Sequence, residues 1–161
     1  MGKLAEAYSI ARKLSVLIID DEESIRKSLS IILNENGYDA DSAKNGEEAI
    51  KKTAERYYNI LLIDIVLPDI NGVELLTRIR DAKPKMRKII MTGNPSLQNA
   101  VDALNRGADA YVMKPLEIEK ILAIINEQLE KQRQEEKTAM ELFQHGRLRA
   151  RIELISREGS G

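Results

Sequence analysis

The stretch ILLIDIVLPDING, residues 60–72, contains the features that decide the fold. A run of apolar residues from Ile60 to Ile65 includes one charged residue, Asp64, and predicts a strand covered on both faces of a sheet. The segment from Asp69 to Gly72 is typical of a turn, and a helix is predicted at 73–80. A carboxylate among buried apolar residues is costly unless it is paired or metal-bound. The stretch therefore predicts strand, turn and helix, with Asp64 as a candidate functional residue.

Similar apolar runs recur along the chain, and segments with apolar residues at helical spacing lie between them. Gly37 and Gly107 are placed to end two of these helices in the left-handed conformation, and Asn45 is placed to cap a third. Five strand–helix pairs in about 115 residues predict an α/β fold, a flavodoxin-like doubly wound parallel sheet with helices on both faces. The predicted strands are 14–19, 38–42, 60–65, 88–92 and 110–113.

Composition excludes several classes of function. The 161 residues include 25 Lys+Arg and 26 Asp+Glu, and the net charge of −1 argues against a globally basic nucleic-acid binder. The lack of cysteine excludes disulfides and thiolate zinc sites, and the single histidine, His145, argues against a Ser–His triad. No apolar run approaches the roughly 20 residues of a membrane span, and we see no signal peptide. We therefore expect a cytoplasmic protein without membrane contact.

Polar residues follow the predicted strands at one edge of the sheet. Asp20 and Asp21 end the first strand and Asp64 ends the third, and these two strands are expected to be neighbours. Three converging carboxylates would repel one another, and Mg²⁺ with one or two carboxylates, waters and phosphate oxygens solves that problem. Thr92 and Lys114 end two further strands at the same edge. A carboxylate, a metal, a hydroxyl and an ammonium around one point predict a phosphoryl-transfer site.

The motifs at these positions resemble the receiver domain of two-component response regulators. The matching elements keep the family's order and spacing over residues 14–129. They are Ile19-Asp20-Asp21-Glu22, Asp64 followed by Leu67-Pro68-Asp69-Ile70-Asn71-Gly72, Met91-Thr92-Gly93 and Lys114-Pro115. The resemblance implies a signalling domain, not an enzyme with its own substrate. Asp64 would accept a phosphoryl group from a histidine kinase or phosphotransfer protein and lose it slowly by autodephosphorylation.

The same resemblance implies roles for the other site residues. Asp21 and Asp64 would ligate Mg²⁺ directly, Asp20 would act through water, and the backbone carbonyl of Val66 would be the third protein ligand. In addition, Thr92 would bond a phosphoryl oxygen, Lys114 would pair with the phosphate, and Tyr111 would occupy the aromatic switch position.

Simpler readings of these residues stay open at this point. The acids at 20–23 could merely favour the start of a helix, Lys114 could be an ordinary loop lysine, and Tyr111 could serve packing alone. His145 is expected to be surface decoration. A phosphatase of the haloacid dehalogenase kind needs an acid two residues after its nucleophile, where this chain has Val66. A degenerate receiver that binds partners without phosphorylation is the remaining alternative, and a phosphorylation assay discriminates it.

Two segments lie outside the receiver-like unit of residues 14–129. Residues 1–13 form an N-terminal extension, and residues 130–161, called the tail below, are expected to form a solvated helix that continues the fifth helix of the fold. The terminal Gly-Ser-Gly is read as a cloning remnant. The tail has no helix-turn-helix pattern, so direct nucleic-acid binding is not evident. We expect part of a longer regulator or sensor, or alternatively a stand-alone receiver.

The tail also suggests assembly. A helix of this composition is marginal by itself in water, and another copy of the chain is the expected surface for it to lie on. We therefore expect a homodimer through the fifth helix and the tail, strengthened by phosphorylation. The apolar residues available for the contact are Leu142, Phe143, Leu148, Ile152, Leu154 and Ile155.

Overall fold

The computed structural model describes residues 13–82, 84–93 and 96–158, in which five parallel strands form one sheet. The strand order is β2-β1-β3-β4-β5, and all neighbouring pairs are parallel. The predicted doubly wound sheet and the predicted adjacency of β1 and β3 are confirmed. The strands are β1 Ser15–Ile19, β2 Asp39–Ala43, β3 Ile60–Asp64, β4 Arg87–Thr92 and β5 Ala110–Met113.

Five described helices connect and extend these strands. Gly37 (φ 87°) and Gly107 (φ 101°) adopt the left-handed conformation after α1 and α4, as predicted. The Asn45 side chain accepts a hydrogen bond from the Glu48 amide and caps α2, also as predicted. The helices are α1 Glu23–Glu35, α2 Gly46–Glu55, α3 Gly72–Arg78, α4 Leu97–Asn105 and α5 Ile118–Glu158.

Alternate residues of the central strands build two apolar cores, one on each face of the sheet. Val16, Ile18 and Leu62 face the side that carries α1 and α5, where Leu33 and Ile125 are fully buried. The residues between them along the strands, such as Leu17, Ile19 and Ile63, face α2 and α3, where Ala49 and Leu75 are buried. Because both faces of β1 and β3 are covered, the ends of these two strands have little freedom to move, and the residues that follow them are held firmly.

Helix α5 is continuous across the boundary that we place after residue 129. It has 41 residues and is therefore about 60 Å long. Ile121, Ile125, Gln128 and Gln132 are buried against the sheet, and the described side chains from Arg133 onward are exposed. The predicted helical tail is thus present over residues 130–158, and its described side chains are solvated except that of Gln132. No described helix combines the length and the apolar character that spanning a membrane requires.

Polar groups attach α5 to the edge of the sheet where the strands begin, at the point where the helix leaves the sheet; we call this part the base of α5. Gln132 Nε2 donates to the Tyr57 hydroxyl (2.9 Å) and to the carbonyls of Asn59 (3.1 Å) and Lys85 (2.8 Å), and Gln132 Oε1 accepts from Asn59 Nδ2 (3.0 Å). Arg87 pairs with Asp109 (3.1 Å) and with Glu135 of α5 (2.5 Å). We call these residues, Tyr57, Asn59, Arg87, Asp109, Gln132 and Glu135, the basal cluster.

The expectation for residues 1–13 falls, apart from Lys13, outside the described residues.

Candidate functional site

Three carboxylates meet at the edge of the sheet where the strands end. Asp20 directly follows β1 and is fully buried, whereas the neighbouring Asp21 is exposed. Asp64 is the last residue of β3, which pairs with β1. One carboxylate oxygen from each of the three lies within 4.8 Å of the others. The structure therefore brings together the three acids that the sequence singled out.

Lys114 is the cation of this group. Its Nζ lies 3.0 Å from Asp20 Oδ2 and 3.0 Å from Asp64 Oδ2. Burial alone would lower the pKa of Lys114, but its hydrogen bonds to Asp20 and Asp64 outweigh burial and raise the pKa above its usual range. One ammonium thus faces three acidic side chains. Acidic side chains outnumber basic ones in this group, which suits it to bind a further cation.

Backbone contacts fix the first two acids. Asp20 Oδ1 accepts from the Glu22 amide (2.9 Å), and the Asp20 amide donates to the carbonyl of Ala43 at the end of β2 (3.1 Å). Arg26 Nη1, one turn into α1, donates to the carbonyls of Asp20 (2.8 Å) and Asp21 (3.0 Å). The loop between β1 and α1 is therefore fixed by its own helix and by β2.

Residues 65–71, called the acceptor loop below, begin directly after Asp64. The Val66 amide donates to Asp64 Oδ1 (3.1 Å), so that both oxygens of this carboxylate are held, the other by Lys114. The Gly72 amide donates back to the Ile65 carbonyl (2.8 Å). A Cβ on Gly72 would lie 2.3 Å from the Asp64 carbonyl oxygen, so the loop can close here only over a glycine. The Val66 side chain is 71% exposed.

The two predicted switch residues lie in the neighbouring strands β4 and β5. Thr92 is the last residue of β4 and fully buried, and its carbonyl accepts from the Lys114 amide (2.7 Å). Tyr111 lies in β5, packs against the α2 and α3 core, and buries its hydroxyl without a hydrogen-bond partner among the described residues. Thr92 therefore adjoins Lys114, whereas Tyr111 faces the interior. His145 is exposed on α5, away from these groups.

This donor set fits Mg²⁺. The three acids supply hard carboxylate oxygens, which are the protein ligands that Mg²⁺ prefers, and Asp21 is exposed to the solvent that supplies water ligands. The described residues bring no sulfur or imidazole ligand to this point, so the site does not suit a softer metal.

Sequence reasoning did not name Arg26, and it gave Asp69 and Gly72 no role beyond the turn and the motif that they belong to. Arg26 holds the carbonyls of residues 20 and 21, Gly72 allows the acceptor loop to close, and Asp69 binds two amides of α2. The role of Gly72 could have been predicted, because a glycine that ends a turn and begins a helix often marks a close backbone approach. The partners of Arg26 and Asp69 depend on how distant segments pack.

Comparison with known proteins shows the family of this chain. Residues 16–126 match the response regulator receiver domain family, and the chain belongs to that family. It is 38% identical over 110 residues to the uncharacterised transcriptional regulatory protein YkoG of Bacillus subtilis (strain 168), which covers 68% of this chain and 48% of that protein. The chain spans about half the length of the curated relatives it matches.

Solved structures show the same fold. A CheY-like response regulator receiver domain protein from Methanospirillum hungatei JF-1 has a TM-score of 0.74 and 40% identity, covering 77% of this chain and 99% of that one. The beryllofluoride-activated NtrC4 receiver domain, described in solution as a dimer, has a TM-score of 0.69 and 39% identity, covering 73% of this chain and 98% of the other.

Proposed function

We propose that this chain is a phosphoacceptor domain in which Asp64 takes a phosphoryl group from a phosphohistidine and the resulting acyl phosphate changes the protein's conformation. The observation that carries the proposal is the held Asp64 carboxylate, which lies between Lys114 and the Val66 amide and beside two further acids. Receiver-family membership supports the same chemistry.

The proposed transfer is an in-line displacement at phosphorus. An Asp64 carboxylate oxygen forms a bond to phosphorus, the bond from phosphorus to the donor histidine nitrogen breaks, and the leaving imidazole regains a proton from solvent. In the later hydrolysis, a water oxygen forms a bond to phosphorus and the bond from phosphorus to the Asp64 oxygen breaks. Inorganic phosphate and a proton are released to solvent, and the free Asp64 carboxylate is restored. Lys114 is placed to neutralise charge on the transferring group.

For the metal, we assign Asp21, Asp64 and the Val66 carbonyl as direct ligands and Asp20 as a ligand through water. Bound there, Mg²⁺ would neutralise charge on the phosphoryl oxygens. Asp20 is fully buried and Asp21 is exposed, so that of these two neighbours Asp21 is the more accessible to a hydrated metal ion.

The proposed conformational change begins at Thr92. Its hydroxyl would bond a phosphoryl oxygen, and movement at the end of β4 would pass to β5, because the Lys114 amide is bonded to the Thr92 carbonyl. Tyr111, which packs against the core, would change its position as β5 moves. Phosphorylation would thereby shift the population between two arrangements of these strand ends.

The proposed donor is a histidine kinase or phosphotransfer protein in the cytoplasm. Because the chain spans about half of its curated relatives, we propose that it acts as part of a longer regulator. A stand-alone receiver that binds a partner protein is the second candidate, supported by the CheY-like relative that this chain covers almost completely.

We also propose a homodimer through α5. The helix exposes large apolar side chains beyond the basal cluster, where Leu148, Ile152 and Ile155 share one face at spacings of four and three residues. The NtrC4 receiver domain provides a dimeric precedent. Replacing Leu148 and Ile152 by glutamate in the full chain should give a monomer in sedimentation, whereas the exposed polar control Lys137→Glu should leave assembly unchanged. A wild-type monomer at high concentration, with or without phosphorylation, contradicts the dimer.

The central experiment is phosphorylation with acetyl phosphate and Mg²⁺, followed by intact-mass measurement. Wild type should gain one phosphoryl group, and Asp64→Asn should gain none because an amide is a far weaker nucleophile. Asp81→Asn, which changes an exposed carboxylate outside the site, is the matched control and should label normally. Labelling of Asp64→Asn at the wild-type rate would refute the assignment.

A further inference from the structure

Asp69 connects the acceptor loop to a helix that carries no residue of the site. One carboxylate oxygen of Asp69 accepts from the Gly46 amide and the other from the Glu47 amide, both at 2.9 Å. These amides belong to the first turn of α2, where unpaired N–H groups and the helix dipole favour a carboxylate. Accordingly the pKa of Asp69 is held below its usual range, chiefly by the hydrogen bond from the Gly46 amide. Asp69 thus caps a helix from a position 23 residues further along the chain.

Ile70, the neighbour of Asp69, packs tightly against the same helix. A Cβ on Gly46 would lie 2.1 Å from Ile70 Cγ2, so the loop packs directly on the backbone of α2. Asn45 already caps α2 by accepting from the Glu48 amide. Because Asn45 and Asp69 bond different amides, Asp69 is not required merely to begin the helix. Its bonds hold the loop against the helix.

These contacts complete a closed path of backbone around the acids. The Asp20 amide is bonded to the carbonyl of Ala43 at the end of β2, and three residues later α2 begins at Gly46. From Gly46 the path crosses through Asp69 into the acceptor loop, which returns through Val66 to Asp64. Among the described residues, Asp69 makes the polar link that closes this path between α2 and the loop.

From this arrangement we infer that Asp69 is a positioning residue for Mg²⁺ binding and phosphoryl transfer, because it holds the acceptor loop, and with it the Val66 carbonyl, against α2. The inference rests on the proposed function. Asp69 itself contacts neither the acids nor the phosphoryl group. Its removal lets the loop move from α2, and the carbonyl ligand then spends less time in the geometry that the metal needs.

The test measures Mg²⁺ affinity apart from phosphorylation. Mg²⁺ is titrated into full-length wild type, Asp69→Ala and Asp69→Asn, and the dissociation constant is obtained by calorimetry. Residues that hold metal ligands in place commonly change metal affinity by tenfold or more when they are replaced. We therefore expect Asp69→Ala to weaken Mg²⁺ binding by about tenfold. Labelling by acetyl phosphate should slow to a similar extent. Asn keeps one accepting oxygen, and Asp69→Asn should fall between wild type and Asp69→Ala.

Nuclear magnetic resonance adds a signature at the contact itself. The amide proton shifts of Gly46 and Glu47 should move upfield in Asp69→Ala, because the carboxylate bonds are lost. The control is Lys52→Met, which removes the ion pair of α2 with Asp41 (2.9 Å) but leaves the loop untouched. This variant should lower stability without changing the Mg²⁺ dissociation constant.

The outcomes separate the two proposals. If the Gly46 and Glu47 shifts move in both Asp69 variants while Mg²⁺ affinity and labelling stay within twofold of wild type, the positioning role is wrong and the proposed function stands. An equal loss of Mg²⁺ affinity in Lys52→Met also overturns it, because general destabilisation then suffices. If wild type neither binds Mg²⁺ nor labels, the proposed function fails, and the inference fails with it. Asp69→Asn keeps the test decisive if Asp69→Ala does not fold.

Discussion

The two ends of the same sheet carry two buried polar groups that differ in their balance of charge. Where the strands begin, the basal cluster pairs Arg87 with Asp109 and Glu135, and Gln132 uses both its donor and its acceptor groups. Where the strands end, three carboxylates face the single ammonium of Lys114. In the first group the charges are paired within the protein, whereas the second has more acidic than basic side chains and is suited to bind a cation.

This difference separates a structural role from a functional one. A buried ion pair with all its partners stabilises the arrangement it belongs to, and removal of one partner is costly. Clustered like charges repel one another until a ligand neutralises them, and such clusters are common at binding sites. Changes at the two ends should therefore shift stability in opposite directions. The predictions below test this contrast.

The largest effect is expected for Asp109→Asn at the basal cluster. Asp109 bonds Arg87 and Lys85 through one oxygen and the Lys88 amide through the other. Loss of its charge leaves Arg87 with Glu135 alone, and the free energy of unfolding should fall by about 3 kcal/mol. Urea denaturation followed by circular dichroism measures this change. A fall below about 0.5 kcal/mol would remove the contrast between the two ends.

Gln132→Ala should lower the free energy of unfolding by about 2 kcal/mol, because it leaves the side-chain Nδ2 of Asn59 and the carbonyl of Lys85 without their partner. Phosphorylation by acetyl phosphate should proceed at the wild-type rate, since the acids lie at the other edge. Gln134→Ala, an exposed position on the same helix, is the matched control and should leave stability unchanged. Equal effects of the two substitutions would show that the base of α5 is not held by Gln132.

Asp21→Asn should act in the opposite direction from Asp109→Asn. Without Mg²⁺ it should raise the free energy of unfolding by up to about 1 kcal/mol, because one of three clustered charges is removed. Wild type should gain about 1.4 kcal/mol from free Mg²⁺ at ten times its dissociation constant, and Asp21→Asn should gain little. Thermal unfolding with and without EDTA measures both quantities. If Asp21→Asn is destabilised without Mg²⁺, the acids are not in repulsive excess.

Val66→Asn should change stability least, by less than about 0.5 kcal/mol, because the side chain is largely exposed. Its expected effect is kinetic. By the receiver resemblance, Val66 and Asn94 flank the path of the water that attacks the acyl phosphate, and Asn94 lies outside the described residues. Valine shields this path and cannot orient water, so asparagine should shorten the lifetime of the phosphorylated protein. The phosphate release rate measures it, with the exposed Val101→Asn as control; an unchanged or longer lifetime contradicts the prediction.

The sequence predicted the strands and the acids for the same physical reason. Apolar runs mark strands covered on both faces, and the order of a doubly wound sheet then brings the ends of β1 and β3 together. No further information was needed to predict that Asp20 and Asp64 lie close together. Lys114 followed from its position after β5, and the structure adds its two ion pairs.

Contacts between polar side chains of distant segments could not be predicted in this way. Gln132 is buried on α5 at a position where an apolar residue is expected, and its bonding partners lie 47 to 75 residues away. Asp69 had the composition of an ordinary turn, although it caps α2. The domain boundary after residue 129 was placed where the apolar periodicity ends, and it stays a prediction. The buried face of α5 continues three residues further, to Gln132.

Because α5 runs without a break from the sheet to Glu158, it fixes the direction in which its distant side chains point. Each residue turns the helix by about 100°, so the direction in which Ile152 points is fixed by its count of residues from Gln132. An insertion of one residue into the exposed part would turn everything beyond it by more than a quarter of a circle, whereas an insertion of seven would nearly restore the direction. The length of this helix therefore encodes an angle, and relatives that use the same contact should differ there in steps of about seven residues.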